Sequence, residues 1–138
     1  MKTVFIGGGS FRTLPIARAA LAERLFGKNG ELVLVDFNLG RVETGARLIM
    51  KTPEYRDNPF KISWTSKLQS ALPGSDFVSI SFPVGSYETC RLSEMASLKH
   101  GFIGTDQLSL SGGFRSLTGG AIIIDIARKM EKLCPKAW

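Results

Sequence analysis

The sequence has few of the residues that build metal sites and disulfides. Its 138 residues include two cysteines, Cys90 and Cys134, and one histidine, His100. Neither cysteine has a second cysteine or a histidine at the short spacing that zinc sites use. Two isolated cysteines are typical of a reduced, intracellular protein. We therefore predict a cytoplasmic chain without a disulfide and without a metal site of its own.

Long apolar runs and blocks of basic residues are also lacking. The apolar runs are far shorter than a membrane span, and glycine interrupts the N-terminal one, which argues against a signal peptide. The formal net charge is +6, but the lysines and arginines are scattered among acidic residues. No aromatic and basic motif of an RNA-binding module is present. We therefore predict neither a membrane nor a nucleic acid as a partner.

The sequence alternates strand signals with helix signals. Apolar runs predict strands at residues 3–6, 32–35, 60–65 and 76–82. A first helix should begin at Thr13, which can cap it, and end near Gly27. A second helix should stop near Pro53, and a last helix carries Ile123 and Met130 on one face. The stretch 84–113, rich in glycine and polar residues, predicts a long loop that serves a site.

This alternation predicts an α/β fold with a parallel sheet and flanking helices. Short connections favour right-handed crossovers, so the Rossmann-like strand order is 3-2-1-4. We expect one domain over residues 1–138. Residues 134–138 lie where a fifth strand should be approached, so we expect the sheet to be incomplete and the catalytic C-terminal part to be absent.

A glycine turn follows the first predicted strand. Gly7, Gly8 and Gly9 precede Ser10 there, although the third glycine of the usual dinucleotide fingerprint is replaced by Arg12. Glycines at this place let backbone N–H groups approach a pyrophosphate at a helix N-terminus. Asp36 ends the second strand, where a carboxylate accepts hydrogen bonds from ribose hydroxyls and repels a 2′-phosphate. The pattern indicates NAD rather than NADP.

Several stretches together resemble glycoside hydrolase family 4, the NAD- and divalent-metal-dependent glycosidases. They are residues 4–10, 32–36, 98–112 and 124–138. The resemblance implies that NAD is held by Gly7, Gly9, Ser10, Phe11, Asp36 and Phe82. It also implies that Asp106 acts as an auxiliary catalytic residue that raises the basicity of a tyrosine, and that the sugar contacts Cys90, Arg91 and Glu94.

The resemblance further implies a mechanism of oxidation, elimination, addition and reduction at an O-glycosidic bond. The tyrosine base and the ligands of the metal, which is expected to be manganese, would lie beyond residue 138. This chain alone should therefore be inactive. A homo-oligomer is expected. Family members place a phosphate-binding arginine at the position of Cys90, and a thiol cannot make its bidentate contact. Whether the substrate is phosphorylated therefore stays open, and the chain resembles a divergent branch.

Two other interpretations fit the glycine turn. One is a fragment of a malate- or lactate-type 2-hydroxyacid dehydrogenase, although the stretch around 104–113 argues against it. The other is a non-catalytic NAD-binding module.

Overall fold

The computed structural model contains a four-stranded parallel sheet. It describes residues 1–27, 29–83, 85, 87–105 and 109–138. The strands are β1 (Lys2–Ile6), β2 (Glu31–Val35), β3 (Lys61–Thr65) and β4 (Phe77–Ile80). Their order is β3-β2-β1-β4, and all three neighbouring pairs are parallel. The predicted fold class and strand order are therefore confirmed.

The chain forms two compact units. The first comprises Met1–Phe82 and Lys129–Trp138, and the second comprises Pro83–Arg128. The first unit holds the sheet and the helices α1 (Thr13–Ala22), α2 (Leu39–Met50), α3 (Pro53–Asp57) and α4 (Leu68–Ala71). The second holds α5 (Tyr87–Lys99) and most of α6 (Leu110–Leu133).

The core of the first unit lies between one face of the sheet and the helices that follow β1 and β2. Leu32 and Leu34 of β2 point into it, while Val33 and Val35 are buried on the opposite face. A strand buried on both faces needs a continuous apolar run, which is what the sequence of β2 shows. The core residues are Phe5, Ala17, Leu21, Phe26, Leu32, Leu34, Val42, Ala46, Ile49 and Phe60.

The start and the end of α1 differ from the prediction. Arg12 occupies the N-cap position without a side-chain hydrogen bond, and Thr13 is a buried residue of the helix instead of its cap. The helix ends at Ala22, before Gly27, and Arg24 adopts a left-handed backbone with φ of 53°. Leaving the helix early allows Phe26 to stack on Phe60 with ring centroids 4.5 Å apart. Tertiary packing therefore overrides the local helix signal.

The prediction of a loop over 84–113 is wrong, because α5 and the start of α6 lie within it. The side chains that α5 buries are those of Ser93 and Ser97. Their hydroxyls donate to the carbonyl oxygens of Cys90 and Ser93, so burial leaves them satisfied. An inward face made of serine carries no apolar periodicity, so the helix was not recognisable from hydrophobic spacing.

The last residue of the chain lies along the outer edge of β4. The N–H of Trp138 donates to the Asp76 carbonyl oxygen at 3.0 Å, and the N–H of Val78 donates to the Trp138 carbonyl oxygen at 2.8 Å. This pair of bonds is the pattern of parallel strands. Residues 134–138 thus approach the sheet where a fifth strand was expected.

Candidate functional site

The glycine turn packs directly on the ends of two strands. The N–H groups of Gly7 and Gly8 both donate to the Val35 carbonyl oxygen, at 2.8 and 3.0 Å. A Cβ added at Gly7, where φ is +88°, would lie 2.2 Å from the Ser81 carbonyl oxygen. One added at Gly8 would lie 2.8 Å from the Leu34 Cβ. Close packing against β2 and the end of β4 therefore requires both glycines.

The carboxylate of Asp36 fixes the other end of the turn. The Gly9 N–H donates to Asp36 Oδ2 at 2.9 Å, and the Asn38 N–H donates to Oδ1 at 3.0 Å. A Cβ at Gly9 would lie 2.8 Å from Oδ2. Asp36 is half-buried, and each oxygen still has a lone pair for a further donor. The carboxylate therefore holds the turn and is able to accept from a ligand hydroxyl as well.

The N-terminus of α1 is suited to an anion. Its first turn contains no acidic residue, its N-cap Arg12 is basic, and no side chain caps it. The Arg12 N–H donates to Ser10 Oγ at a long 3.3 Å. Phe11 is 83% exposed, and the Arg12 guanidinium lies 5.9 Å from its ring centre. Positive charge and a helix N-terminus together favour a phosphate group.

The six predicted cofactor residues lie on or against this turn. Phe82 lies against the turn, because its Cβ is 3.2 Å from the position that a Cβ added at Gly7 would take. Sequence reasoning missed Arg41 of α2, whose Cβ would be 3.2 Å from a Cβ at Gly9. The signal for Arg41 was its position in the first turn of α2, shortly after Asp36 in the sequence.

The second unit contains an open cavity of about 490 Å³. It brings together the three residues predicted to contact a sugar. Its lining consists of Tyr87, Cys90, Arg91, Glu94, Gly104, Thr105 and Arg115. Sequence reasoning missed Tyr87, because α5 was taken for loop, and Arg115, whose pairing with Glu94 the sequence does not reveal.

Arginine–glutamate pairs set the electrostatics of this cavity. Arg91 binds Glu88 through two hydrogen bonds, Nε to Oε2 at 2.9 Å and Nη2 to Oε1 at 2.6 Å. These bonds lower the pKa of Glu88 and raise the pKa of Arg91. Arg115 Nη2 donates to Glu94 Oε1 at 2.9 Å. Glu88 does not line the cavity, so the charged residues of its lining are Arg91, Arg115 and Glu94, with a formal net charge of +1.

The other groups that the sequence raises are Asp106, the two cysteines and any metal ligands. Asp106 lies outside the described residues, so its auxiliary role stays a prediction. Cys90 and Cys134 are free thiols, and burial raises the pKa of Cys134. In the part of the chain that the structure describes, no three or more histidine, cysteine, aspartate or glutamate side chains lie close enough to hold a metal ion. Within the same residues, no helix is long and apolar enough to span a membrane.

Sequence comparison identifies one family over nearly the whole chain. A family model described as "Family 4 glycosyl hydrolase" matches residues 2–138. The 6-phospho-beta-glucosidase of Escherichia coli strain K12 is 31% identical over 140 residues, which is 100% of this chain and 31% of the relative. An alpha-galactosidase of Bacillus subtilis strain 168 is 31% identical over 99% of this chain and 32% of its own length.

Structural comparison finds the same fold. The 6-phospho-beta glucosidase of Thermotoga maritima, solved with manganese, NAD+ and glucose-6-phosphate, superposes with a TM-score of 0.83 at 20% identity. The superposition covers 96% of this chain and 32% of that one. The chain therefore spans about a third of the length of the relatives it matches.

Proposed function

We infer the function from one premise: the chain belongs to the family 4 glycosyl hydrolases. We propose that residues 1–138 are the NAD-binding portion of a glycosidase that, as a whole protein, hydrolyses O-glycosidic bonds. The observation that carries this proposal is the carboxylate of Asp36, held at 2.9 Å from the Gly9 N–H at the end of β2. The Thermotoga maritima structure with NAD+ supports it.

The described residues fit a dinucleotide. The N-terminus of α1, which no side chain caps, would hold the pyrophosphate, and Asp36 would accept from the ribose hydroxyls. The close contacts of Gly7 and Gly8 hold the turn against the ends of β2 and β4. NAD, when bound, supplies a hydride acceptor and donor for a sugar carbon. The role of this chain is to bind and orient it.

A divalent metal, manganese in the Thermotoga maritima relative, is proposed for the whole protein. The described residues offer no set of ligands for it. We therefore assign no metal-dependent step to this chain and expect the ligands elsewhere in the whole protein. A cytoplasmic location and a homo-oligomeric state belong to the same proposal.

The alternative of a 2-hydroxyacid dehydrogenase fragment is weaker, because the family match runs through the stretch around residues 104–113 as well as the glycine turn. The Rossmann-like sheet alone does not distinguish the two, since such a fold serves many reactions.

Calorimetric titration of the 138-residue chain with NAD and NADP tests the proposal. We expect NAD to bind more tightly, because the Asp36 carboxylate repels a 2′-phosphate. Equal or tighter binding of NADP would refute the role of Asp36. A parallel assay with nitrophenyl glycosides, NAD and manganese should show no turnover. Measurable hydrolysis would mean that the active site lies within these residues.

A further inference from the structure

A basic side chain lies beside Asp36 at the glycine turn. Arg41 is in the first turn of α2, where its N–H donates to Asn38 Oδ1 at 3.0 Å. A Cβ added at Gly9 would lie 3.2 Å from the Arg41 Cβ and 2.8 Å from Asp36 Oδ2. The arginine and the carboxylate therefore flank the same point of the turn.

The two side chains are not paired with each other. Backbone N–H groups hold the Asp36 carboxylate, that of Gly9 at Oδ2 and that of Asn38 at Oδ1. The Arg41 side chain is exposed, and no carboxylate in the part of the chain that the structure describes forms an ion pair with its guanidinium. The guanidinium is therefore available to an anion that a ligand brings.

The 2′ position of the adenosine ribose is where NAD and NADP differ. NAD carries a hydroxyl there, which donates to a carboxylate at the end of the second strand. NADP carries a phosphate, for which a nearby arginine is a suitable partner, since its planar guanidinium makes bidentate contacts. Asp36 suits the hydroxyl and Arg41 suits the phosphate, so the turn presents one group for each cofactor.

We propose that Arg41 is a specificity-determining residue that binds the 2′-phosphate of NADP, and that the charge of Asp36 alone makes the chain prefer NAD. The inference rests on the proposed function, because it takes the glycine turn to be the dinucleotide site. It goes further, because it makes the preference for NAD a balance between two side chains of opposite charge. Removing the charge of Asp36 should therefore invert the preference instead of abolishing dinucleotide binding.

Calorimetric titration of the 138-residue chain with NAD, NADP, AMP and adenosine 2′,5′-bisphosphate tests the proposal. The last two probes differ only in the 2′-phosphate, so they isolate its contribution. In Asp36→Asn, which keeps an acceptor oxygen without its charge, we expect NADP to bind about tenfold or more tightly than NAD. The bisphosphate should likewise bind more tightly than AMP.

Variants of the arginine test its role directly. Arg41→Gln should weaken NADP binding about tenfold or more, in the wild-type chain and in Asp36→Asn, and NAD binding by less than about threefold. Arg41→Lys keeps the charge but loses the bidentate contact, so its NADP affinity should be intermediate. The matched control is Lys51→Gln, which removes the same charge from the other end of α2 and should change none of the four affinities. Arg41→Gln in the otherwise wild-type chain keeps the test valid if Asp36→Asn fails to fold.

Two results would overturn the proposal. One is a folded Asp36→Asn variant that still prefers NAD. The other is an equal loss of NAD and NADP affinity in Arg41→Gln, which would mean that the arginine contacts a part that both cofactors share. Failure of the proposed function is detected separately, because the wild-type chain would then bind neither NAD nor AMP. A wild-type chain that binds NAD, with Arg41→Gln leaving NADP affinity unchanged, would contradict the assignment of Arg41 alone.

Discussion

Replacing Asp36 with alanine perturbs the fold of the glycine turn and the binding of a cofactor together. The carboxylate accepts from the Gly9 N–H at 2.9 Å and from the Asn38 N–H at 3.0 Å. The variant loses both bonds, and the two N–H groups must find water instead. We therefore expect two separable losses, one in stability without ligand and one in affinity for NAD.

The geometry sets the size of each loss. A hydrogen bond to a charged group contributes about 1.5–3 kcal/mol, and Asp36 is half-buried, so water replaces part of this contribution. We estimate a loss of about 1–3 kcal/mol in the free energy of unfolding for the two bonds. At about 4 °C per kcal/mol for a chain of this size, the melting temperature should fall by about 4–12 °C. Loss of the ribose contact should weaken NAD binding by about 10- to 150-fold.

Thermal unfolding and calorimetric titration with NAD measure the two losses. Asp36→Asn keeps one acceptor oxygen and removes the charge, so its stability should lie between those of the wild type and Asp36→Ala. Asp57→Ala removes an exposed aspartate of α3 and serves as the control. If Asp36→Ala matched Asp57→Ala in both melting temperature and NAD affinity, the Asp36 carboxylate would neither hold the turn nor contact NAD.

Three further predictions concern the first unit. Gly7→Ala should lower the free energy of unfolding, measured in urea, by about 2–5 kcal/mol, because its Cβ would lie 2.2 Å from the Ser81 carbonyl oxygen. The control is Gly74→Ala, where φ is +73° and the space is open, and it should cost about 1–2 kcal/mol. Equal losses for the two variants would contradict the close packing at Gly7. The hydrogen bond from Arg18 lowers the pKa of Glu54 in the folded chain. The ion pair therefore stabilises the fold fully above the pKa that Glu54 has in the unfolded chain, and this stabilisation is lost as the pH falls through the pKa in the folded chain. Glu54→Gln should therefore be less stable than the wild type at pH 7 and approach it at pH 3, and a constant difference between the two pH values would refute this. Light scattering at micromolar concentration should show dimers or soluble aggregates, because Phe77 and Ile80 of β4 remain exposed although Trp138 pairs with the outer edge of the strand at Asp76 and Val78. A monomer that unfolds cooperatively would contradict this.

The sequence predicted the sheet and its order because each central strand is an apolar run between turns. Buried parallel strands leave this signature in the residues themselves, as β2 shows with Leu32 and Leu34 on one face and Val33 and Val35 on the other. The glycine turn was recognisable for a related reason. Three glycines between the first strand and the first helix are typical of a turn that lets the backbone approach a pyrophosphate.

The helices of the second unit were poorly predicted because the side chains that α5 buries are small and polar. Ser93 and Ser97 are buried in α5 through bonds to the backbone, which no apolar pattern reveals. The residues Cys90, Arg91 and Glu94 came from the family resemblance, and the structure places them around one cavity. Arg115 was missed because its pairing with Glu94 spans 21 residues and depends on how α6 and α5 meet.

Binding of NAD at the glycine turn is the central claim. Its most direct test is a titration of the isotope-labelled 138-residue chain with NAD, followed by nuclear magnetic resonance. We expect the largest amide shifts at Gly9, Ser10, Phe11 and Asp36, with smaller shifts for the same concentration of NADP. Shifts confined to other residues, or none at millimolar NAD, would contradict the assignment of this chain as an NAD-binding portion.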